Sequence, residues 1–240
     1  MGFSQFLRQQ CYIDGQWCDA DGGGTVNVTN PASGEVLGTV PNMGQAETER
    51  AIDAAERALP GWRAKTAGER ARILRKFFDL MIANQDALGE LLTREQGKPL
   101  AEAKGEIAYS ASFIEWFAEE GKRAYGDVVP AHAADRRIVV LKQPIGVVAA
   151  ITPWNFPSAM IGRKIGPALA AGCTVVAKPA SQTPYSALAW GILAEKAGIP
   201  VKLKVPHKAF HRNIGTLAGV KVSPEGQVVS EAEWNAKVGQ

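Results

Sequence analysis

Two short runs constrain this chain more than any other feature. Val147-Val148-Ala149-Ala150-Ile151-Thr152 and Thr174-Val175-Val176-Ala177 are almost wholly apolar, and each precedes a stretch with helical spacing. A strand with one wet face alternates polar and apolar residues, whereas one that is apolar throughout must be covered on both faces. Such strands alternating with helices require a parallel sheet with helices on both sides and right-handed crossovers. The fold class read from the sequence is therefore α/β, a partial doubly wound parallel sheet. With 240 residues, 46% of them hydrophobic, the chain can bury the core this needs.

Upstream the pattern differs. Tyr12-Ile13-Asp14-Gly15-Gln16-Trp17 sets a turn pair between bulky residues, and Val26–Thr29 and Val36–Val40 flank the turn signal Asn30-Pro31-Ala32-Ser33-Gly34. An N-terminal β segment is expected there. After Gly44 the spacing becomes three and four. Ile52, Ala55 and Leu59 share one helical face, with Pro60-Gly61 expected to end that helix, and Ile73, Leu74, Phe77, Leu80 and Met81 mark a second. Asn84 is placed to cap a third helix carrying Leu88, Leu91 and Leu92, which Gly97 stops. Pro99 suits the first turn of a fourth, whose stripe is Ile107, Ala111, Ile114 and Phe117. Segment 124–137 has little periodicity, and Ile138–Leu141 reads as a strand.

Charge and cysteine content narrow the setting. A net charge of +3 is too small to argue for nucleic acid or an anionic membrane as the main partner. No run of 18 apolar residues is present to span a bilayer, and the first residues lack a secretory or myristoylation signal. Three cysteines, Cys11, Cys18 and Cys173, have no metal-ligand spacing and read as unbridged thiols of a reducing compartment, the cytoplasm. Cys173, between an apolar helix and a strand, reads as a buried structural thiol. At Ile199-Pro200 the character shifts. Residues 201–240 hold six Lys/Arg and three Asp/Glu, so the whole charge excess lies there. Val222–Val229 reads as a hairpin and Ser230-Glu231-Ala232-Glu233 as a capping box. Two domains are expected, a cofactor-binding part over 1–200 and an unrelated tail over 201–240.

Two candidate sites stand at successive strand ends. Ile151-Thr152-Pro153-Trp154-Asn155-Phe156-Pro157 follows the first strand, where α/β proteins bind ligands. Asn155 offers amide hydrogens to a developing oxyanion, and Trp154 a surface for a cofactor. The competing reading is a proline-bracketed turn with a buried Trp. Lys178-Pro179-Ala180-Ser181 closes the second strand. Lys178 can reach a ribose or phosphate there, and Ser181 can donate to a phosphate oxygen. The competing reading is an ordinary strand exit and helix cap.

These stretches, with Glu95-Gln96-Gly97-Lys98-Pro99-Leu100, Pro144-Ile145-Gly146-Val147 and Leu169-Ala170-Ala171-Gly172-Cys173, resemble the N-terminal part of the aldehyde dehydrogenase superfamily over residues 10–200. Ser158-Ala159-Met160-Ile161-Gly162-Arg163-Lys164 looks most like the succinate-semialdehyde dehydrogenases, which usually have Thr where Gly162 stands. The resemblance implies an oxidoreductase that turns a small-molecule aldehyde into an acid through a thiohemiacetal, hydride transfer to nicotinamide and thioester hydrolysis. It implies that Asn155 stabilises the oxyanion. Thr152, Pro153, Trp154, Asn155, Lys178, Pro179, Ala180 and Ser181 would line the dinucleotide site, and Arg163 would bind the substrate carboxylate. NAD-preferring members often carry Glu at the Ser181 position. Ser181 beside Lys178 tolerates a 2′-phosphate, which favours NADP, with NAD as the alternative.

The same resemblance places the nucleophilic Cys, the general-base Glu and a Gly-Ser-Thr helix start for the pyrophosphate after position 200, where this chain has no Cys. An inactive chain is the expectation, with a non-catalytic dinucleotide-binding fragment or an oligomerising remnant as alternatives. An open sheet edge is expected to drive self-association into a homo-oligomer. Pro206–Gly215 and Ser230–Trp234 are faintly similar to the end of the aerobic benzoyl-CoA epoxygenase component, with His207 and His211 as surface residues.

Overall fold

A computed structural model gives the fold. The structure describes residues 2–199 and, beyond them, the backbone of 202–203, 221–222 and 228–229. The chain opens with a hairpin of β1 (Cys11–Ile13) and β2 (Gln16–Cys18) and a second of β3 (Thr25–Thr29) and β4 (Val36–Pro41). Four helices follow: α1 (Gln45–Arg63), α2 (Ala67–Ala83), α3 (Gln85–Gln96) and α4 (Leu100–Glu120). A two-stranded ribbon, β5 (Asp127–Val129) with β6 (Ile138–Val140), precedes β7 (Val147–Ile151), α5 (Ala159–Ala170), β8 (Thr174–Lys178) and α6 (Pro184–Ala197). Short strands β9 (Lys202–Leu203), β10 (Lys221–Val222) and β11 (Val228–Val229) complete the described elements.

The main sheet has the order β2-β1-β9-β8-β7. β7 pairs parallel with β8, and β8 parallel with β9, while β1 joins β9 antiparallel through Tyr12 opposite Leu203. The α/β reading of the sequence is what the structure shows. Thr174 to Ala177 of β8 are all buried, and because successive side chains point to opposite faces, both faces are covered. α1 packs on β7, β8 and β9; α5 packs on β7 and β8; α6 packs on β9 and β1. α2, α3 and α4 back α5 and α6, with Phe77 of α2 edge-on to Trp190 of α6 at 5.1 Å. β7 is the last strand in the order, and Ala149 on it is exposed. β10 pairs antiparallel with β11, as the hairpin reading of that stretch requires. The capping box from Ser230, and His207 and His211, lie outside the described residues.

Three local details depart from the periodicity. α1 runs through Pro60 to Arg63 instead of ending there. Its last turn is anchored by Trp62, 1% exposed, whose indole N–H donates to the Leu169 carbonyl at 3.1 Å. That tertiary anchor outweighs the single backbone bond the proline removes. Asn84 stands at the N-cap of α3 as expected, but its side chain makes no cap bond there; its amide donates back to the Leu80 carbonyl at 2.7 Å, in the last turn of α2. Segment 124–137, aperiodic in sequence, contributes β5.

Gly162 marks a close helix crossing. A Cβ there would stand 2.7 Å from Ser110 Oγ and 2.9 Å from the Ser110 carbonyl oxygen. Neither separation is sustainable, so α4 and α5 approach at this spot because the residue is glycine.

Candidate active site at the carboxyl ends of two parallel strands

The parallel register puts Ile151 opposite Lys178, so β7 and β8 end at the same level. The Thr152 N–H donates to the Lys178 carbonyl at 3.1 Å and ties the two exits together. Both sequence-predicted stretches therefore meet at one edge of the sheet. Thr152 is buried, with its hydroxyl unpartnered among the described residues, and Pro153, Trp154, Asn155 and Phe156 are exposed. Trp154 is 53% exposed, which removes the buried-Trp reading of this turn. Across from them Lys178, Ala180 and Ser181 are half-buried and Pro179 is buried. Burial pulls the Lys178 ammonium below its ordinary pKa, since charge is poorly solvated there.

The 153–157 loop is held by residues more than fifty positions upstream. The Asn155 carbonyl accepts from Gln96 Nε2 at 3.5 Å and from Lys98 Nζ at 3.4 Å, and the Lys98 ammonium sits 4.0 Å from the Phe156 ring centre. Gln96 and Lys98 flank Gly97, the left-handed C-cap of α3 at φ 88°, where a Cβ would strike Pro31 at 2.7 Å. Lys98 also pairs with Glu106 of α4 at 2.5 Å, and Glu106, 3% exposed, accepts the Ser158 and Ala159 N–H groups at 2.9 and 3.1 Å. Ser158 is fixed at every polar atom: its carbonyl accepts from Ser110 Oγ at 2.8 Å, and its hydroxyl from the Trp190 indole at 3.0 Å. The side-chain amide of Asn155 is thus presented from an anchored backbone.

The N-terminus of α6 is filled in the same way. Glu95, 2% exposed, accepts the Tyr185 and Ser186 N–H groups, both at 2.7 Å. Burial raises its pKa to about 7, opposed by those hydrogen bonds. Helix N-termini after parallel strands ordinarily offer N–H groups to phosphates. Here two buried carboxylates of the chain itself take those groups at α5 and α6.

Arg163, exposed on α5, lies over Phe113 at 5.3 Å and Tyr109 at 6.0 Å, with a 3.5 Å contact to the Tyr109 hydroxyl. No hydrogen bond joins it to Asn155 or Lys178 among the described residues. Cys173 is buried at the start of β8, the opposite end of the strand from Lys178.

The family model described as "aldehyde dehydrogenase family" matches residues 17–205. The chain belongs to the aldehyde dehydrogenase family. It is 71% identical over 197 residues to the glutarate-semialdehyde dehydrogenase of Pseudomonas putida, a match covering 82% of this chain and 41% of that enzyme. It is 68% identical, with the same coverage, to the succinate-semialdehyde dehydrogenase [NADP(+)] of Escherichia coli. Among solved structures, that of succinate-semialdehyde dehydrogenase from Burkholderia pseudomallei superposes with a TM-score of 0.86 at 63% identity, covering 88% of this chain and 44% of that one. The chain spans about two-fifths of the length of these semialdehyde dehydrogenases.

Glu95 and Lys98 stand in the Glu95–Leu100 stretch that carries the resemblance, with no role read for them, and Glu106 lies outside every stretch singled out. A signal for their place did exist. Glu106 falls on the buried stripe of Ala103, Ile107, Ser110 and Ile114, and Glu95 on that of Leu88, Leu91 and Leu92. A carboxylate on a buried stripe must meet donors, and the nearest are helix N-termini.

Proposed function

We propose that these residues form the dinucleotide-side part of an NADP-preferring semialdehyde dehydrogenase of the succinate type, acting on an aldehyde that carries a distal carboxylate. The observation that carries this is the pairing of the two strand exits through Thr152 and Lys178, which sets half-buried Lys178 and Ser181 beside the Pro153–Asn155 loop. Lys178 would hold the adenosine ribose hydroxyls, and Ser181, uncharged, would leave room for a 2′-phosphate. Thr152, Pro153 and Trp154 would line the dinucleotide on one side, with Pro179 and Ala180 on the other. When bound, NADP supplies the hydride acceptor. Asn155 would donate its amide hydrogen to the aldehyde oxygen as that oxygen gains charge. Arg163 would pair with the substrate carboxylate, its guanidinium kept in place by Tyr109 and Phe113.

A thiolate attack on the aldehyde has no candidate residue at this edge. Cys173 is five residues from Lys178 along one strand, about 16 Å at 3.3 Å per residue. The 240 residues alone should therefore bind dinucleotide and turn nothing over. We place them in the cytoplasm, on cysteine usage, read residues 201–240, apart from the sheet strand β9, as an unrelated tail, and expect copies of the chain to associate through the sheet edge at β7.

Titration calorimetry with NADP and NAD, together with nicotinamide absorbance in the presence of succinate semialdehyde, tests this reading. Weak binding that favours NADP, reversed by about tenfold in Ser181→Glu, is expected, with absorbance at background. An NAD preference, or turnover by the chain, would overturn it.

A further inference from the structure

The N-terminal hairpin carries two cysteines that the proposed chemistry does not use. Asp14 and Gly15, at φ 53° and 78°, form the two-residue turn whose twist suits a hairpin. That turn fixes the register, with Ile13 opposite Gln16, Tyr12 opposite Trp17, and Cys11 opposite Cys18. Tyr12 and Trp17 pack together on one face, their ring centres 5.0 Å apart and tilted by 48°. The cysteines therefore share the other face, and the Cys18 thiol donates to the Cys11 carbonyl at 3.6 Å.

We propose that Cys11 and Cys18 form a dithiol site that a low-molecular-weight disulfide such as glutathione disulfide converts to a reversible intrachain disulfide. Pairs alternate outward from the two-residue turn, so Cys11–Cys18, like Ile13–Gln16, is a hydrogen-bonded pair, whose Cα atoms stand about 5.5 Å apart, inside the range disulfides span. Their Cβ atoms stand about 5 Å apart, longer than the ~3.8 Å a relaxed disulfide prefers. The hairpin must therefore pinch. Among the described strands β2 is the last of the sheet and pairs only with β1, so no second strand holds it against that pinch. A bond closed against such strain is readily reduced, which makes it a reversible modification and not a structural staple.

Cys11 is fully buried and Cys18 half-buried, so reaction begins at Cys18. Its thiolate attacks one sulfur of glutathione disulfide, releasing a glutathione thiolate and leaving a mixed disulfide. The Cys11 thiolate then attacks the Cys18 sulfur and expels the second glutathione. Two electrons pass from the cysteine pair to the oxidant, and two thiol protons are lost. Burial raises the Cys18 thiol's pKa; Arg50 on α1 acts against that, while Asp19, Asp21 and Glu47 add to it. The first step should therefore accelerate as pH rises, by about tenfold per unit while the thiol is mostly protonated.

The test is incubation of the intact chain with glutathione disulfide at pH 7 and 8.5, followed by thiol blocking, digestion and mass spectrometry. The expected result is a linked Cys11–Cys18 peptide pair lighter by two hydrogens, formed faster at the higher pH and reversed by dithiothreitol. Cys173 stays blockable, Cys18→Ser abolishes the link, and Cys173→Ser leaves it unchanged. A stable glutathione adduct at Cys18, linkage through Cys173 or between chains, or no reaction would each overturn the proposal.

Discussion

Replacing Glu106 with Ala should show how much of the site's order depends on one carboxylate. Glu106 accepts three hydrogen bonds, from the Lys98 ammonium and from the N–H groups of Ser158 and Ala159. Its removal strands a cation whose side chain is 11% exposed, and breaking a buried pair from one side costs ~3–5 kcal/mol. Two helix N–H groups also lose their acceptor, at about 1–3 kcal/mol each if nothing replaces it. These terms overlap, because water can enter the space left and Lys98 keeps the Phe156 ring and the Asn155 carbonyl. A net loss of about 3–4 kcal/mol is expected, a large part of the 5–15 kcal/mol typical of folded domains. With a urea slope of about 2 kcal/mol per molar, the midpoint should fall by about 1.5–2 M. Lys98→Met added to Glu106→Ala should recover about 1–2 kcal/mol by removing the stranded charge. Urea unfolding followed by circular dichroism measures both, and hydrogen exchange at the Ser158 and Ala159 amides reads the cap itself. A single variant within about 0.5 kcal/mol of the parent, with those amides still protected, would refute the assignment.

Two further outcomes follow from the same packing. Glu95 titrates near 7 when folded, against an ordinary 4.5, so its protonated form is the one the fold prefers; the stability it contributes is complete below about 4.5 and is lost as pH rises through 7. A decline on the order of 3 kcal/mol between pH 4.5 and 7.5 should separate the parent from Glu95→Gln in paired urea titrations, and parallel pH profiles would show that Glu95 is not the titrating group. Gly162→Ala should lower stability by about 1–2 kcal/mol, because overpacking against Ser110 exceeds the gain of roughly 1 kcal/mol in helix propensity; an unchanged unfolding midpoint would show that the crossing can open without cost.

The sequence by itself determined the elements and the level at which they end. Thr174–Lys178 is legible because burial on two faces leaves no polar position to alternate with; Val147–Ile151 is equally apolar, although only Ala150 of it is buried among the described residues. The stripes of α2, α3 and α4 are legible because one face of each is buried. Because ligand-binding groups of parallel sheets follow the strands, Asn155 and Lys178 could be singled out before any packing was known. The tertiary structure decided which residues meet. Periodicity records that a face is covered but not by what, so neither the anchoring of α1 by Trp62 nor the entry of the two-residue strand β9 between β1 and β8 could be read from spacing. The same holds for the carboxylates: only the crossing of α3 and α4 with α5 and α6 brings Glu106 and Glu95 onto the helix starts, where the donors they need are concentrated.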